Sequence, residues 1–327
     1  MLSSELRHFI LAIPGKISGV LLFLACLLSG HCSLSTRSDS LPEFNDGYGG
    51  KGPALLIIGD SLSSGVMASF PIGKSLPRRR MARFSEFFFG SDHSLEASQR
   101  IFSEYASSSL MTEAPWGIRH KIAEKYQLSS ADIPVIRGFK WGARLMNAIS
   151  FVSDMEQHYP YPKKAEFIFI WIGGNDFCRD RSPEEFEREY RILLTKTLKI
   201  HPDATFFISL LPKFHTILEH SFIYSPALSC VKMRKAFCSP IFRPDARFII
   251  QAYNQAIEKV ITEAGEKQLK ESGKHPGLYL ISGMKELSLS QEDLCFDCFH
   301  PSIKGHQKFS EIFKQTIDDV IPLQPHR

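Results

Sequence analysis

A serine hydroxyl becomes a nucleophile near neutral pH when an imidazole removes its proton. The imidazole needs a carboxylate to orient it, and the developing oxyanion needs fixed hydrogen-bond donors. Residues of these kinds fall in three clusters: Gly59-Asp60-Ser61-Leu62, Gly173-Gly174-Asn175-Asp176 and Asp297-Cys298-Phe299-His300-Pro301. Ser61 could present its hydroxyl, and its own N–H, from a sharp turn. The Asn175 amide could donate to a substrate oxygen. Asp297 and His300, three apart, could converge on one serine. Taken singly, each cluster has an ordinary explanation. A four-residue match arises by chance, Gly-Asn is a common turn, and a histidine before a helix is often a cap.

The elements around them give the clusters their weight. Ala54 to Ile58 is a continuous apolar run, as expected of a strand buried on both faces, and it ends at Ser61's turn. Phe167 to Ile172 is a second such run, ending at Gly173-Gly174-Asn175. Pro134–Ile136, Thr205–Leu210 and Leu278–Ile281 are further strand candidates. Helical patterns lie between them at Pro115–Tyr126, Ala143–His158, Pro183–Ile200 and Arg247–Leu269, and Ile303–Ile321 closes the chain. Ser182 is a fitting N-cap for the third, with Glu184 and Glu185 in its first turn. Short apolar strands alternating with amphipathic helices predict a three-layer α/β/α fold on a mostly parallel five-stranded sheet. Ligands of such sheets bind beyond the carboxyl ends of the strands, where the three clusters stand. Residues from about 67 to 133 read as a largely helical insertion after the first strand. Its Phe84, Phe87, Phe88 and Phe89 either line an acyl-chain pocket or pack the insertion onto the core.

The 327 residues are 43% hydrophobic and 23% charged, enough for one sizeable core and unlike a disordered polyelectrolyte. The net charge of +4 is small. Arg78-Arg79-Arg80, with Arg83, reads as a solvated loop and gives no sign of nucleic-acid binding, since no aromatic platform surrounds it. Arg7, His8 and Lys16 precede an apolar run from Ile17 to Leu28, short for a membrane span and suited to an export signal; the alternative is an uncleaved anchor. Leu28-Ser29-Gly30-His31-Cys32 resembles a bacterial lipoprotein cleavage site, with His31 where a small residue is usual. The expected organisation is a signal over 1–32, a flexible tether over 33–51 and one catalytic domain over 52–327. Beyond the tether lie Cys178, Cys230, Cys238, Cys295 and Cys298. In an exported chain these favour disulfides, and the odd count leaves one outside any internal pair. A zinc site at Cys295/Cys298 would need two further ligands, and no second C-x-x-C or H-x-x-x-H supplies them.

In their order and flanks the three clusters resemble the GDSL/SGNH hydrolases, from about Leu55 to about Ile312, and His300-Pro301-Ser302-Ile303-Lys304-Gly305-His306 looks like that family's last block. The resemblance implies a flavodoxin-like hydrolase fold. It implies Ser61 as nucleophile and oxyanion donor, Asn175 as side-chain oxyanion donor, and Asp297 and His300 as the remaining triad. A glycine usually gives the third donor, here Gly142 rather than Gly138, from its spacing to the following helix. No metal or organic cofactor is implied. Activity is expected to fall below the ordinary histidine range near pH 6 to 7. Gly173 to Cys178, the cysteines at 230 and 238, and Asp297 to His300 look like the phospholipase B-like branch. That likeness implies a phospholipid or lysophospholipid ester substrate, a local Cys230–Cys238 pair, and one bridge shared among Cys178, Cys295 and Cys298; the export signal, the lipoprotein-like stretch and the aromatic-rich insertion favour association with a membrane surface. The alternatives are a carbohydrate O-acetyl esterase of the same fold and a non-catalytic envelope lipoprotein.

Overall fold

The computed structural model describes residues 52–64, 115, 117–139, 142–157, 164–220, 223–225, 228–273, 277–295 and 298–324. The signal and tether, the Arg78–Arg80 run, the phenylalanines at 84–89 and Asp297 lie outside these residues. The chain enters through β1 (Leu55–Gly59) and a single helical turn, α1 (Ser61–Ser64). Then come α2 (Ile118–Tyr126), β2 (Val135–Phe139), α3 (Leu145–Gln157) and β3 (Phe167–Trp171). A short α4 (Gly174–Cys178) and the long α5 (Pro183–Ile200) lead to β4 (Thr205–Ser209). A two-stranded ribbon follows, β5 (Ile223–Ser225) with β6 (Leu228–Ser229), then α6 (Cys230–Phe237) and α7 (Ala246–Ser272). Strand β7 (Gly277–Ile281) and helix α8 (Ile303–Val320) complete the chain.

The central sheet has the order β2-β1-β3-β4-β7, and each neighbouring pair is parallel. The expected five-stranded α/β/α architecture is therefore present, its sheet parallel throughout. Strands β1 and β3 are buried along their whole length, which is why both read as unbroken apolar runs. The pleat sends alternate residues of β3 to opposite faces. Phe167 meets Tyr126 of α2, while Phe169 and Trp171 meet Phe313 and Phe309 of α8, all edge to face. The other face is covered by α3, α5 and α7: Phe151 of α3 fills the space beside Gly138, where a Cβ would lie 2.3 Å from its ring. Such interdigitation leaves Gly138 a packing role inside β2.

Local signals set the helix limits. Ser182 caps α5 by accepting from Glu185 N–H at 3.2 Å, and the Glu185 carboxylate accepts the Ser182 N–H in return. Pro183 sits at the first helical position, where its missing N–H costs nothing. At the other end of α7, Gly273 takes φ 68° and its N–H returns to Leu269. Helix α2 serves the crossover from β1 to β2. It buries Ile118 and Ile122, its Arg119 donates to the Ile133 carbonyl at 2.9 Å, and Lys121 and Lys125 both reach Asp318 of α8. Among the described residues no helix is long and apolar enough to cross a membrane.

The cysteine pairing differs from the expected one. Cys178 pairs with Cys238, and Cys230 with Cys298, while Cys295 keeps a buried thiol that donates to the Pro301 carbonyl. A local Cys230–Cys238 bridge is excluded by the helix between them. Cys230 opens α6 and Cys238 caps it. Eight residues at 1.5 Å rise put them about 12 Å apart, beyond the roughly 7 Å that a disulfide spans.

Candidate active site

Strands β2, β1 and β3 end level with one another: Gly59 pairs with Phe139 on one side and Trp171 on the other. Gly142, Ser61 and Asn175 follow these ends within a few residues, so the sheet delivers three predicted site residues to one edge. At Ser61 the chain turns at once from strand into α1. The turn demands glycine at 59, where a Cβ would lie 2.0 Å from the Ser63 hydroxyl oxygen and 3.0 Å from the Trp171 carbonyl oxygen. Ser63 uses that closeness to donate to the Trp171 carbonyl at 3.2 Å. Asp60 caps the turn, its Oδ1 accepting the Leu62 N–H at 2.9 Å.

His300 comes from the far end of the chain. Its Nε2 lies 2.9 Å from Ser61 Oγ, and both residues are only 4% exposed. The loop that presents it is closed by its backbone. Cys295 N–H donates to the His300 carbonyl at 2.7 Å, Cys298 N–H to the Cys295 carbonyl at 2.8 Å and Ser302 N–H to the Asp293 carbonyl at 2.7 Å. Asp293 is itself fixed by Ser290 and Lys308; burial would raise its pKa, yet these partners hold the carboxyl below its usual range. Phe299 stacks with Phe214 and with Phe237 and turns its ring edge-on to the imidazole, with centroids 5.3 Å apart. With Nε2 facing the serine, Nδ1 is the atom left for a carboxylate. Asp297, expected in that role, lies outside the described residues.

Asn175 stands in the first turn of α4, and its Nδ2 donates to the Ala143 carbonyl at 3.1 Å. That contact joins it to the segment holding Gly142. Gly142 is exposed, takes φ 69°, and has open space where a side chain would be. Of the two glycines weighed from the sequence, the one beside Asn175 is thus Gly142, whereas Gly138 is spent on packing against Phe151.

Residues 55–313 match the sequence model of the GDSL-like Lipase/Acylhydrolase family. The chain belongs to that family. Its members hydrolyse esters, and this protein is an ester-hydrolysing enzyme. No curated protein matches the chain. Similar solved structures include LAE5, an alpha/beta hydrolase enzyme from the metagenome of Lake Arreo, Spain, at 16% identity, covering 82% of this chain and 96% of that one with a TM-score of 0.42. A family 3 carbohydrate esterase of Clostridium thermocellum is 15% identical over 83% of this chain and 98% of its own, with a TM-score of 0.44. TesA is 14% identical over 82% and 99%, with a TM-score of 0.42.

Within this GDSL-type site, two residues have parts that the motifs alone did not assign. Asp176 accepts the Leu145 N–H with both carboxylate oxygens, at 3.1 and 3.3 Å, and so caps α3 just past Gly142. Asp60 lies against the same turn: a Cβ on Gly174 would be 3.7 Å from its Oδ2. Burial pushes the Asp60 carboxyl up to about 7, opposed by the Leu62 N–H and by the nearness of His300. Burial likewise pushes Asp176 up to about 7; Asp60 and Glu189 add to the rise, and the Leu145 N–H and Arg144 oppose it. Both sit inside the GDSL-type blocks, but residue type cannot distinguish a buried capping acid from a catalytic one. His306, at the end of the last block, is fully buried edge-on to Phe309 at 5.8 Å, and burial pushes it down to about 3, which keeps it neutral.

Proposed function

We propose that the protein hydrolyses carboxylic esters through an acyl-enzyme on Ser61. The observation that carries this reading is the 2.9 Å contact between His300 Nε2 and Ser61 Oγ. That is hydrogen-bond reach for proton transfer from the hydroxyl. In the first half-reaction Oγ bonds to the ester carbonyl carbon while its proton passes to Nε2. The resulting oxyanion is held by the backbone N–H of Ser61, that of Gly142 and the Asn175 amide. The Asn175 amide has two N–H donors, one of which goes to Ala143, so the second remains for this role. The C–O bond then breaks, and the leaving alkoxide takes the proton back from His300. Water repeats the sequence on the acyl-enzyme and releases the acid. Asp297 is assigned to orient the imidazole through Nδ1.

For substrate we propose acyl esters of phospholipids or lysophospholipids, met at a membrane surface outside the cytoplasm. Three features support this: the signal-like Ile17–Leu28 run, the lipoprotein-like Leu28–Cys32 stretch and the phenylalanines at 84–89. Two disulfides agree with an oxidising compartment.

The test is active-site labelling with a fluorophosphonate, followed by turnover of a panel spanning acetylated sugars, short esters, lysophospholipids and diacyl phospholipids. Labelling is expected in the parent and absent in Ser61→Ala. Labelling that persists in Ser61→Ala would defeat the assignment of the nucleophile. Strict preference for acetylated sugars would replace the lipid reading with a carbohydrate esterase.

A further inference from the structure

We propose that Arg234 is a positioning residue for His300, its buried guanidinium setting the backbone from which the imidazole reaches Ser61. The inference rests on the reading of Ser61 and His300 as nucleophile and base.

Positions 230, 234 and 237 are four and three residues apart, which puts them on one stripe of α6. All three meet the histidine loop. Cys230 is bonded to Cys298. Arg234 Nε donates to the Cys298 carbonyl at 2.7 Å. Phe237 stacks on Phe299 at 6.4 Å and lies edge-on to the His300 ring at 6.2 Å. The helix is anchored on its other side as well. Its cap, Cys238, is bonded to Cys178 at the end of α4, the element that bears Asn175. Helix α6 therefore ties the His300 loop to the element that carries Asn175.

Within that stripe Arg234 has the least replaceable part. It is 0% exposed, and a charge taken out of water is costly unless its donors are used. Its fork sends two of them to backbone: Nε to Cys298, and Nη1 to the carbonyl of His220, whose ring contacts the Leu289 carbonyl at 2.9 Å. Cys298 has φ 60°, a left-handed conformation that a residue with a side chain seldom adopts unaided. The disulfide fixes the side chain of Cys298, and Arg234 fixes its carbonyl. Together they set the peptide plane two residues before His300. Lysine keeps the charge but lacks the rigid planar fork that meets both carbonyls in fixed directions.

The test compares the full chain with Arg234→Met and Arg234→Lys by fluorophosphonate labelling rate, by kcat and KM on a soluble short-chain ester, and by circular dichroism. Displacing a catalytic group by about 1 Å costs about 100-fold, so Arg234→Met is expected to label and turn over about 10- to 100-fold more slowly. KM should stay within about twofold, because the loop acts on the chemical step. Arg234→Lys should be intermediate, a partial rescue that simple core damage does not give. Should Arg234→Met fail to fold, Arg234→Lys decides. Parental labelling and kcat in either variant with parental circular dichroism overturn the assignment of Arg234. A parent that does not label at all removes the hydrolase reading instead, so the two failures are told apart.

Discussion

The two halves of the proposed catalytic pair are held in place by different physics. Ser61 stands at the end of a strand that is hydrogen-bonded on both sides, on a turn closed by Ser63, Asp60 and the absence of a side chain at Gly59. Regular structure places it, and the hydrogen bonds that close its turn run to the neighbouring strand β3 and within the turn itself. His300 stands on a loop outside the sheet. It is placed by backbone contacts within that loop, by the Cys230–Cys298 bond, by Arg234 and by the stacked Phe299. A sheet edge can be specified by a few local residues. A loop that must face it needs tethers from elsewhere in the chain, and here most of them come from one helix of eight residues.

Removing the covalent tether should give the largest effect on that contrast. The Cys230–Cys298 bond closes a separation of 68 residues. In the chain-entropy account, Cys230→Ala with Cys298→Ala should lower unfolding stability by about 4 kcal/mol. Labelling of Ser61 should slow well before the sheet melts, because the tether holds the loop of His300, the proposed base, and not the turn of Ser61. Loss of sheet structure and of labelling at the same denaturant concentration would contradict the division. Next in size is Asn175→Ala on the regular side. Loss of an oxyanion donor should cost about 3 kcal/mol in kcat, with little change in melting temperature, since the side chain gives up one contact, to Ala143. A kcat within a few-fold of the parent would exclude Asn175 from the oxyanion site.

The same division explains what could be read in the sequence. Strands β1, β3 and β4 were legible because burial on both faces leaves nearly unbroken apolar runs with Gly or Pro soon after, whereas the edge strands β2, with Arg137, and β7, with exposed Tyr279, showed only short apolar stretches. Helix α5 was legible to the residue, because Ser182, Pro183 and Glu185 spell its cap. The positions of Ser61 and Asn175 followed from those strand ends. Helix α6 was not legible: its inward stripe is Cys230, Arg234 and Phe237, with a cation in the middle, so it lacks the apolar periodicity that marks a buried face. The cysteine pairing failed for the same reason, since it could be read only after α6 was known to separate Cys230 from Cys238. Asp60 and Asp176 were visible as motif letters, but their work is to cap α1 and α3, and that depends on which N–H groups the fold brings to them.

A smaller effect probes how tightly the regular side is built. Gly59→Ala would place a methyl in the space of Ser63 and near the Trp171 carbonyl. Overpacking of this kind costs about 1 to 3 kcal/mol, so the variant should melt lower and lose labelling in proportion. Stability equal to that of the parent would mean that α1 can shift without harm, and that the nucleophile turn is as adjustable as the loop.

The smallest effect concerns Asp176, which links the Gly142 segment to Asn175's helix. Its carboxyl titrates near 7 in the fold against an ordinary 3.8, chiefly because it is buried. Between those values the folded chain holds a proton that the unfolded chain has released. Its contribution to stability is therefore full below the ordinary carboxylate pKa and is lost as pH rises through about 7. Asp176→Asn cannot titrate and still offers an oxygen to the Leu145 N–H. From about pH 5 to pH 6 the variant should gain on the parent by about 1 kcal/mol of unfolding free energy, near the limit of 1.4 kcal/mol per pH unit for one proton. Carboxylates remote from Asp176 cancel in that difference, including the paired ones whose pKa is held low, such as Asp293 and Asp318. Parallel curves would show that Asp176 stays ionised over this range. The cap on α3 would then be a charged one, and the regular side of the cleft would depend on a buried charge just as the loop depends on Arg234.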